Sequence, residues 1–288
     1  MRKSLISFMI TLSLLNGCQK QTQPLKLMVS FYILEDFTRK IVENDIPIIN
    51  IIKGSIEAHS YELSSQDMVL LSDNPHWIVL GNHFEAWVDS AKSSIPNASV
   101  LITSTNITPI KTSLNQIDPH IWLSIPNAIL MLESIKNYVS ELVPSKASIF
   151  QARYETVKAK FEILNQYYID TLASRKRDIF LTKHSAFAYL AQTYHLQAES
   201  VLGLEPSEEP SATRVQTIID FINQNKIPII LSESNSSDKV VNAIASETGI
   251  QVGILNPIEY ITLAEKATLM DYLSLMRINL TNLQKALN

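Results

Sequence analysis

The sequence is poor in the features that several protein classes need. It has one cysteine in 288 residues, so no disulfide can form within the chain. Lysine and arginine number 24 against 28 aspartates and glutamates, and no basic cluster interleaved with aromatic residues occurs, which argues against nucleic acid as a partner. A Gly-rich phosphate loop, an H-E-x-x-H helix and a nucleophile elbow are also absent. The chain thus lacks the common motifs of nucleotide-binding proteins, metalloproteases and α/β-hydrolases.

The longest apolar run lies at the N-terminus and has the layout of a secretory signal. Two basic residues precede apolar residues 5–15, which are too few to span a bilayer. The stretch Leu15-Asn16-Gly17-Cys18 resembles the lipobox of bacterial lipoproteins. We therefore expect a signal peptide at 1–17, a lipid on Cys18, and a tether at 18–26 that holds the protein at the extracytoplasmic face of the cell membrane. The alternative is ordinary cleavage that leaves Cys18 as a free thiol.

Apolar strand-like segments alternate with helix-like segments through most of the chain. Strands are predicted at 26–31, 48–52, 77–80, 99–102, 179–182, 228–231 and 251–255. Helices are predicted at 33–41, 64–71, 85–91, 126–142, 187–194, 215–223, 240–248 and 268–287. Strand and helix in alternation indicate a parallel sheet with helices on its faces, and this pattern occurs twice.

A long helix without glycine or proline is predicted over residues 145–174, between the two sets of strands. Its apolar residues form one stripe, assigned to core packing: Phe150, Tyr154, Val157, Phe161, Leu164, Tyr168 and Leu172. Such a helix would run roughly 45 Å, enough to cross from one lobe to another. We predict two α/β lobes, each a mainly parallel sheet flanked by helices, joined by this one rigid helix. The N-terminal metal-binding lobe is expected at 27–143, the linking helix at 144–176 and the C-terminal metal-binding lobe at 177–288.

Three histidines stand where predicted strands end or helices begin. His59 follows the second strand, His120 follows a rigid proline before a helix, and His184 follows the fifth strand. In α/β lobes this edge is where ligands bind, and Glu259 follows the last strand to the same edge. Three imidazoles and one carboxylate suit tetrahedral zinc, whereas manganese favours more oxygen donors. We therefore predict one zinc ion bound by these four residues.

Other residues compete for a place in this site. Glu233 follows the sixth predicted strand and is the rival fourth ligand, and His83 is the further histidine expected near the site. Glu57 and Asp118 flank two of the three histidines, where their carboxylates can accept hydrogen bonds from the rings and fix the tautomer. Four protein ligands would leave no open coordination position, which argues against a hydrolytic enzyme.

Two of the histidine motifs resemble those of a transport family. Asp118-Pro119-His120-Ile121-Trp122-Leu123 is similar to D-P-H-x-W-L, and His184-Ser185-Ala186-Phe187-Ala188-Tyr189 to H-x-A-F-x-Y, of the cluster A-I metal-binding lipoproteins that feed ABC importers. With the lipobox and the long helix, the resemblance covers essentially the whole mature chain. It implies a monomeric binding protein that delivers zinc to an ABC permease in the membrane and catalyses nothing. Manganese carriers of the family usually have glutamate at the His184 position, so histidine there implies zinc; a manganese-specific homologue is the alternative.

The last strand departs from the commonest family pattern. Many relatives read L-D-P there and use the aspartate as a ligand, but this chain reads Leu255-Asn256-Pro257, and asparagine is a poor zinc ligand. In the laminin-binding branch the glutamate of L-x-P-L-E serves instead, which resembles the segment ending at Glu259, and residues 203–210 also resemble that branch. The resemblance thus implies Glu259 as a ligand, with binding of host laminin as an alternative or second activity. The family's histidine-rich loop is missing, since residues 103–117 contain no histidine.

Overall fold

A computed structural model describes residues 24–54, 56, 58–82, 84–233 and 239–288. The predicted signal peptide, Cys18, Glu57 and His83 lie outside the described residues, so the roles assigned to them stay predictions. Among the helices that are described, none combines the length and the apolar character needed to cross a bilayer.

Two four-stranded parallel sheets form the framework of the described ranges. In the N-terminal lobe, β1 (Leu27–Val29), β2 (Ile48–Asn50), β3 (His76–Val79) and β4 (Ser99–Ile102) lie in the order β2-β1-β3-β4. In the C-terminal lobe, β5 (Ile179–Thr182), β6 (Gln197–Ser200), β7 (Ile229–Ser232) and β8 (Gln251–Ile254) lie in the order β6-β5-β7-β8. Each sheet therefore reverses its direction of strand addition beside its first strand. The crevice outside the carboxyl ends at that point is where open α/β sheets bind ligands.

Helices cover both sheets, because their apolar residues recur at three- and four-residue spacing. They are α1 (Tyr32–Val42), α2 (Ser65–Asp73), α3 (Val88–Ser94), α4 (Ile125–Leu142), α5 (Ala147–Leu172), α6 (Ala188–Thr193), α7 (Ala212–Asn225), α8 (Lys239–Thr248), α9 (Leu263–Ala267) and α10 (Tyr272–Leu287). Short 3-10 helices at Ile121–Leu123 and Pro144–Lys146 precede α4 and α5.

The long helix α5 lies between the lobes and is buried along the predicted apolar stripe. Its 26 residues give it a length of about 39 Å. Phe161 of α5 stacks on Tyr272 of α10 with ring centroids 5.0 Å apart, and it meets Phe37 of α1 at 5.7 Å. One helix thus packs against both lobes, and the prediction of two α/β lobes joined by a long helix is confirmed. The lobe boundaries set at 143 and 176 remain predictions.

Buried hydrogen bonds also join the two lobes directly. The Trp122 indole N–H donates to the Pro257 carbonyl at 2.7 Å, and the Tyr272 hydroxyl donates to the Trp122 carbonyl at 2.8 Å. The Tyr189 hydroxyl of α6 donates to the Asp118 carbonyl at 3.2 Å. Breaking buried bonds of this kind leaves polar groups without partners, which is unfavourable. The lobes are therefore held in one arrangement around the cleft.

Several elements differ from the sequence expectations, among them α9, where no helix is predicted. No strand is predicted at Gln197–Ser200, but β6 forms there; it is an edge strand with exposed positions, so it lacks the apolar signal of the inner strands. The helix predicted at 85–91 is wrong at its start, because Glu85 is a buried loop residue and α3 begins at Val88. The helix predicted at 268–287 is also wrong at its start, since Asp271 caps α10 by accepting from the Ser274 N–H.

Candidate metal centre

Three loops bring the predicted histidines to one point between the lobes. His59 lies in the turn between β2 and α2, His120 directly precedes the 3-10 helix at Ile121–Leu123, and His184 follows β5. His120 and His184 are 0% and 1% exposed, and the side chain of His59 is 3% exposed. Imidazoles from both lobes are thus shielded from water at the same place.

The Nε2 atoms of the three rings face one another and the Glu259 carboxylate. His120 Nε2 lies 3.2 Å from His59 Nε2 and 3.5 Å from His184 Nε2. Glu259 Oε1 lies 3.4, 3.3 and 3.7 Å from the same nitrogens of His59, His120 and His184. Ligand atoms about 2.0–2.2 Å from a tetrahedral zinc ion are about 3.3–3.6 Å apart, so these distances match the edges of such a tetrahedron. All four ligand atoms lie within 4.8 Å of one another.

The Glu259 carboxylate has a polar atom that a cation would satisfy. Its side chain is 3% exposed, and Oε1 has no hydrogen-bond partner. A buried carboxylate oxygen that has lost its water is unfavourable unless a donor or a cation replaces that water. This oxygen and the three nitrogens together are a donor set that suits a single zinc ion.

Each ring also has a carboxylate on its far side, at Nδ1. Asp118 Oδ1 lies 2.8 Å from His120 Nδ1, and Glu233 Oε1 is in close contact with His184 Nδ1. Glu205 Oε1 lies 3.7 Å from His59 Nδ1. A carboxylate that accepts a hydrogen bond from Nδ1–H leaves the Nε2 lone pair free for a metal. Asp118 thus lies behind the His120 ring, and Glu233 lies behind the His184 ring and not among the four converging atoms.

Glu205 is a part of the site that sequence reasoning did not assign. It belongs to the 203–210 segment whose resemblance to the laminin-binding branch was its only signal in the sequence. Its contact with His59 crosses the cleft from one lobe to the other, so no local pattern could reveal it. Glu205 also lines a cavity of about 580 Å³ that extends from His59 along Lys111 and Leu114 toward solvent.

Aromatic rings pack against the histidine rings of the site, and one of them, Phe84, also lines the cavity that reaches His59. Phe84 meets the His59 ring edge-on at 4.7 Å between centroids, and Trp122 lies 5.3 Å from the His120 ring. Phe31 packs against both Phe84 and Trp122. This apolar wall excludes water and strengthens electrostatic interactions within the site.

Charge within the site shifts two pKa values in opposite directions. Burial alone would lower the pKa of His120, but the hydrogen bond and negative charge of Asp118, together with Glu259, raise it to about 9. Burial would raise the pKa of Glu259, but its close contacts with His120 and His59 hold it well below the usual range. The pKa shifts of His120 and Glu259 therefore both favour a pair of a protonated imidazole and an ionised carboxylate.

Comparison with known families decides what kind of protein carries this centre. Residues 27–286 match the family described as ZnuA, zinc-uptake complex component A, periplasmic. The chain belongs to the ZnuA family. This match spans both lobes and all four converging residues, and it confirms the resemblance to metal-binding proteins of ABC uptake systems. The description of this family is that of a zinc-uptake component.

Individual relatives agree with the family match. The zinc-binding lipoprotein AdcA of Streptococcus pneumoniae serotype 4 is 27% identical over 93% of this chain. The chain spans 55–58% of the length of the streptococcal AdcA proteins it matches.

Solved structures show the same fold. The Zn(II)-bound ZnuA-like domain of S. pneumoniae AdcA has a TM-score of 0.83 and 27% identity, covering 92% of this chain and 99% of that domain. The laminin-binding protein Lmb of Streptococcus agalactiae, described as bifunctional with adhesin and metal-transporting activity, has a TM-score of 0.84 and 25% identity over 92% of this chain and 100% of its own. The predicted likeness to the zinc-binding and laminin-binding branch is therefore confirmed.

Proposed function

We propose that this ZnuA family member binds one zinc ion through His59, His120, His184 and Glu259 and delivers it to an ABC permease. The observation that carries the proposal is the convergence of three Nε2 atoms and one carboxylate oxygen at the spacing of a zinc tetrahedron. The zinc-bound state of the related AdcA domain supports the same cargo. Four protein ligands leave no position for a reacting water, which suits capture and release better than catalysis.

The donor set favours zinc over manganese. Imidazole nitrogen is a preferred donor for zinc, whereas manganese favours carboxylate, carbonyl and water oxygens in a larger coordination shell. Here only one of the four converging atoms is oxygen, and Glu233 is occupied with His184 Nδ1. Competition titration should therefore rank zinc well above manganese. Equal affinity for the two ions would refute the choice of cargo.

The ligand assignment is tested by removing one donor at a time. His59→Ala, His120→Ala and His184→Ala should each weaken zinc binding strongly, measured by competition with a chelator of known affinity. His195→Ala is the matched control, because His195 is exposed and lies outside the cluster. Wild-type affinity in any two of the three cluster variants would show that the site is elsewhere.

Delivery requires that the protein be held near its permease. We propose a lipid on Cys18, after removal of residues 1–17, with the monomeric chain on the extracytoplasmic face of the cell membrane. The related zinc-binding lipoprotein AdcA of Streptococcus pneumoniae supports this arrangement. Cells that lack the protein should need more zinc for growth in a chelating medium, and a copy with His120→Ala should not restore growth.

Laminin binding is the second candidate function. It is favoured by the full-length match to Lmb, which is described as a laminin-binding protein with adhesin activity. Surface plasmon resonance against immobilised laminin, with zinc-loaded and metal-free protein, separates the two functions. Zinc binding without any laminin response would leave transport as the only role.

A further inference from the structure

The turn that carries Glu259 has a backbone conformation that its residue type disfavours. Ile258 has φ of 61°, in the left-handed region where β-branched residues are rare. Its side chain is fully buried. Such a residue persists only where the surrounding structure holds it in place. Relaxation at Ile258 would redirect the next residue, which is Glu259, so whatever holds this turn also aims the carboxylate.

The two polar atoms of the Asn256 side chain link the turn at Ile258 to the Glu265 carboxylate. Its Oδ1 accepts from the Ile258 N–H at 2.7 Å, and its Nδ2 donates to Glu265 Oε1 at 3.2 Å. A backbone N–H can only donate and an ionised carboxylate can only accept, so the two partners fix which way the amide points. Aspartate at this position would set two carboxylates against each other, and alanine would serve neither partner.

The backbone of Asn256 is anchored separately by α10. The Asn256 N–H donates to Asn279 Oδ1 at 2.8 Å, and Asn279 Nδ2 donates to the Asn256 carbonyl at 2.7 Å. Asn279 is 1% exposed. Next along the turn, the Pro257 carbonyl accepts the Trp122 indole N–H at 2.7 Å. The backbone on the N-terminal side of the turn is fixed, so the remaining conformational freedom lies in the backbone of Ile258. The Asn256 amide restrains that backbone.

We propose that Asn256 is a positioning residue of the metal centre, whose amide holds Ile258 in the left-handed conformation that turns Glu259 toward the three imidazoles. Both polar atoms of the Asn256 side chain are hydrogen-bonded, to Ile258 and Glu265, and none of the four converging ligand atoms belongs to Asn256. The inference rests on the proposed zinc site and gives a reason for asparagine at this position: the ligand lies three residues further on, and residue 256 supports it.

The first test removes the Asn256 side-chain amide. Asn256→Ala should weaken zinc binding about 10- to 100-fold, the range seen when a residue that orients a metal ligand is lost. It should also change the visible spectrum of the cobalt(II)-substituted protein, because Glu259 no longer meets the metal at the same angle. Asn165→Ala is the matched control: Asn165 accepts a hydrogen bond from the Tyr194 hydroxyl far from the cluster, and its loss should leave affinity and spectrum unchanged.

The second test exchanges the donor and the acceptor of the hydrogen bond between residues 256 and 265. Its result does not depend on how Asn256→Ala folds. Asn256→Asp alone should bind zinc more weakly than the parent, because its carboxylate faces that of Glu265. Asn256→Asp combined with Glu265→Gln should recover most of the affinity. In this double variant the new amide at position 265 donates from its nitrogen to the new carboxylate at position 256. The amide oxygen at position 265 remains available as an acceptor for the Thr262 N–H, which donates to Glu265 Oε2 at 2.8 Å in the parent.

The outcomes separate this inference from the proposed function. If the parent does not bind zinc, or binds it equally well with His120→Ala, the proposed function fails. If the parent binds zinc but Asn256→Ala keeps both its affinity and its cobalt spectrum, the positioning role is wrong. The positioning role is also wrong if Asn256→Asp combined with Glu265→Gln recovers no affinity. It is wrong as well if Asn256→Asp combined with Glu259→Gln binds zinc as tightly as the parent, because residue 256 would then reach the metal itself.

Discussion

Zinc binding should release about one proton at neutral pH, and its affinity should rise steeply as the pH is raised. The proton comes from His120, whose Nε2 must be free to bind the ion while Nδ1–H stays with Asp118. With a pKa of about 9, only about 1% of His120 is neutral at pH 7 and half is neutral at pH 9, so apparent affinity should rise about 50-fold between these values. A site built on neutral imidazoles would show no such rise.

Two measurements check this expectation. Calorimetry at pH 7 in buffers of different ionisation enthalpy counts the protons released, and chelator competition at several pH values gives the slope of affinity. Asp118→Asn is the informative variant. Without that charge, burial lowers the pKa of His120, so proton release at pH 7 and the slope above it should both decrease. Proton release near zero in the parent, or an unchanged slope in Asp118→Asn, would refute the reasoning.

His120 and Glu259 should also make the stability of the metal-free protein depend on pH. The folded-state pKa of His120 is raised, so its contribution is complete below the unfolded value of about 6.5 and is lost as the pH rises through about 9. The folded-state pKa of Glu259 is lowered, so its contribution is present above about 4.5 and is lost as the pH falls. Thermal unfolding of metal-free protein should therefore show a higher Tm at pH 6 than at pH 9. A higher Tm at pH 9 would contradict the raised pKa of His120.

Three further substitutions probe other parts of the molecule. Glu259→Gln should weaken zinc binding more than Glu233→Gln, measured by chelator competition, because Glu233 contacts the far side of a ring; the reverse order would make Glu233 the ligand. Tyr272→Phe should lower the free energy of unfolding by about 1–3 kcal/mol in urea, because it leaves the buried Trp122 carbonyl without its donor; an unchanged value would show that this bond between the lobes contributes nothing. Cys18→Ala should move the protein from the membrane fraction to the soluble fraction on immunoblots, and a parent protein found wholly in the soluble fraction would remove the lipid anchor.

The sequence alone determined the elements that bury a continuous apolar surface. Every residue of the stripe from Phe150 to Leu172 is buried on α5, because a 3.6-residue period leaves little choice of face over so many turns. Strands such as Trp77-Ile78-Val79 carry an equally plain signal, since both faces of an inner parallel strand are covered. The edge strand β6 and the break before Asp271 depend on hydrogen bonds more than on hydrophobic burial, so their local patterns were too weak to predict.

The sequence also indicated which histidines meet, through motifs that surround His120 and His184. It favoured Glu259 as the fourth ligand and kept Glu233 as a rival, because both follow strands that end at the same edge of one sheet. The tertiary structure gives the two carboxylates different positions, with Glu233 against His184 Nδ1 and Glu259 among the Nε2 atoms. The deciding feature is the left-handed Ile258, held by Asn256. Trp122, whose indole N–H donates to the Pro257 carbonyl of that turn, lies in the other lobe, so this contact exists only once the chain has folded.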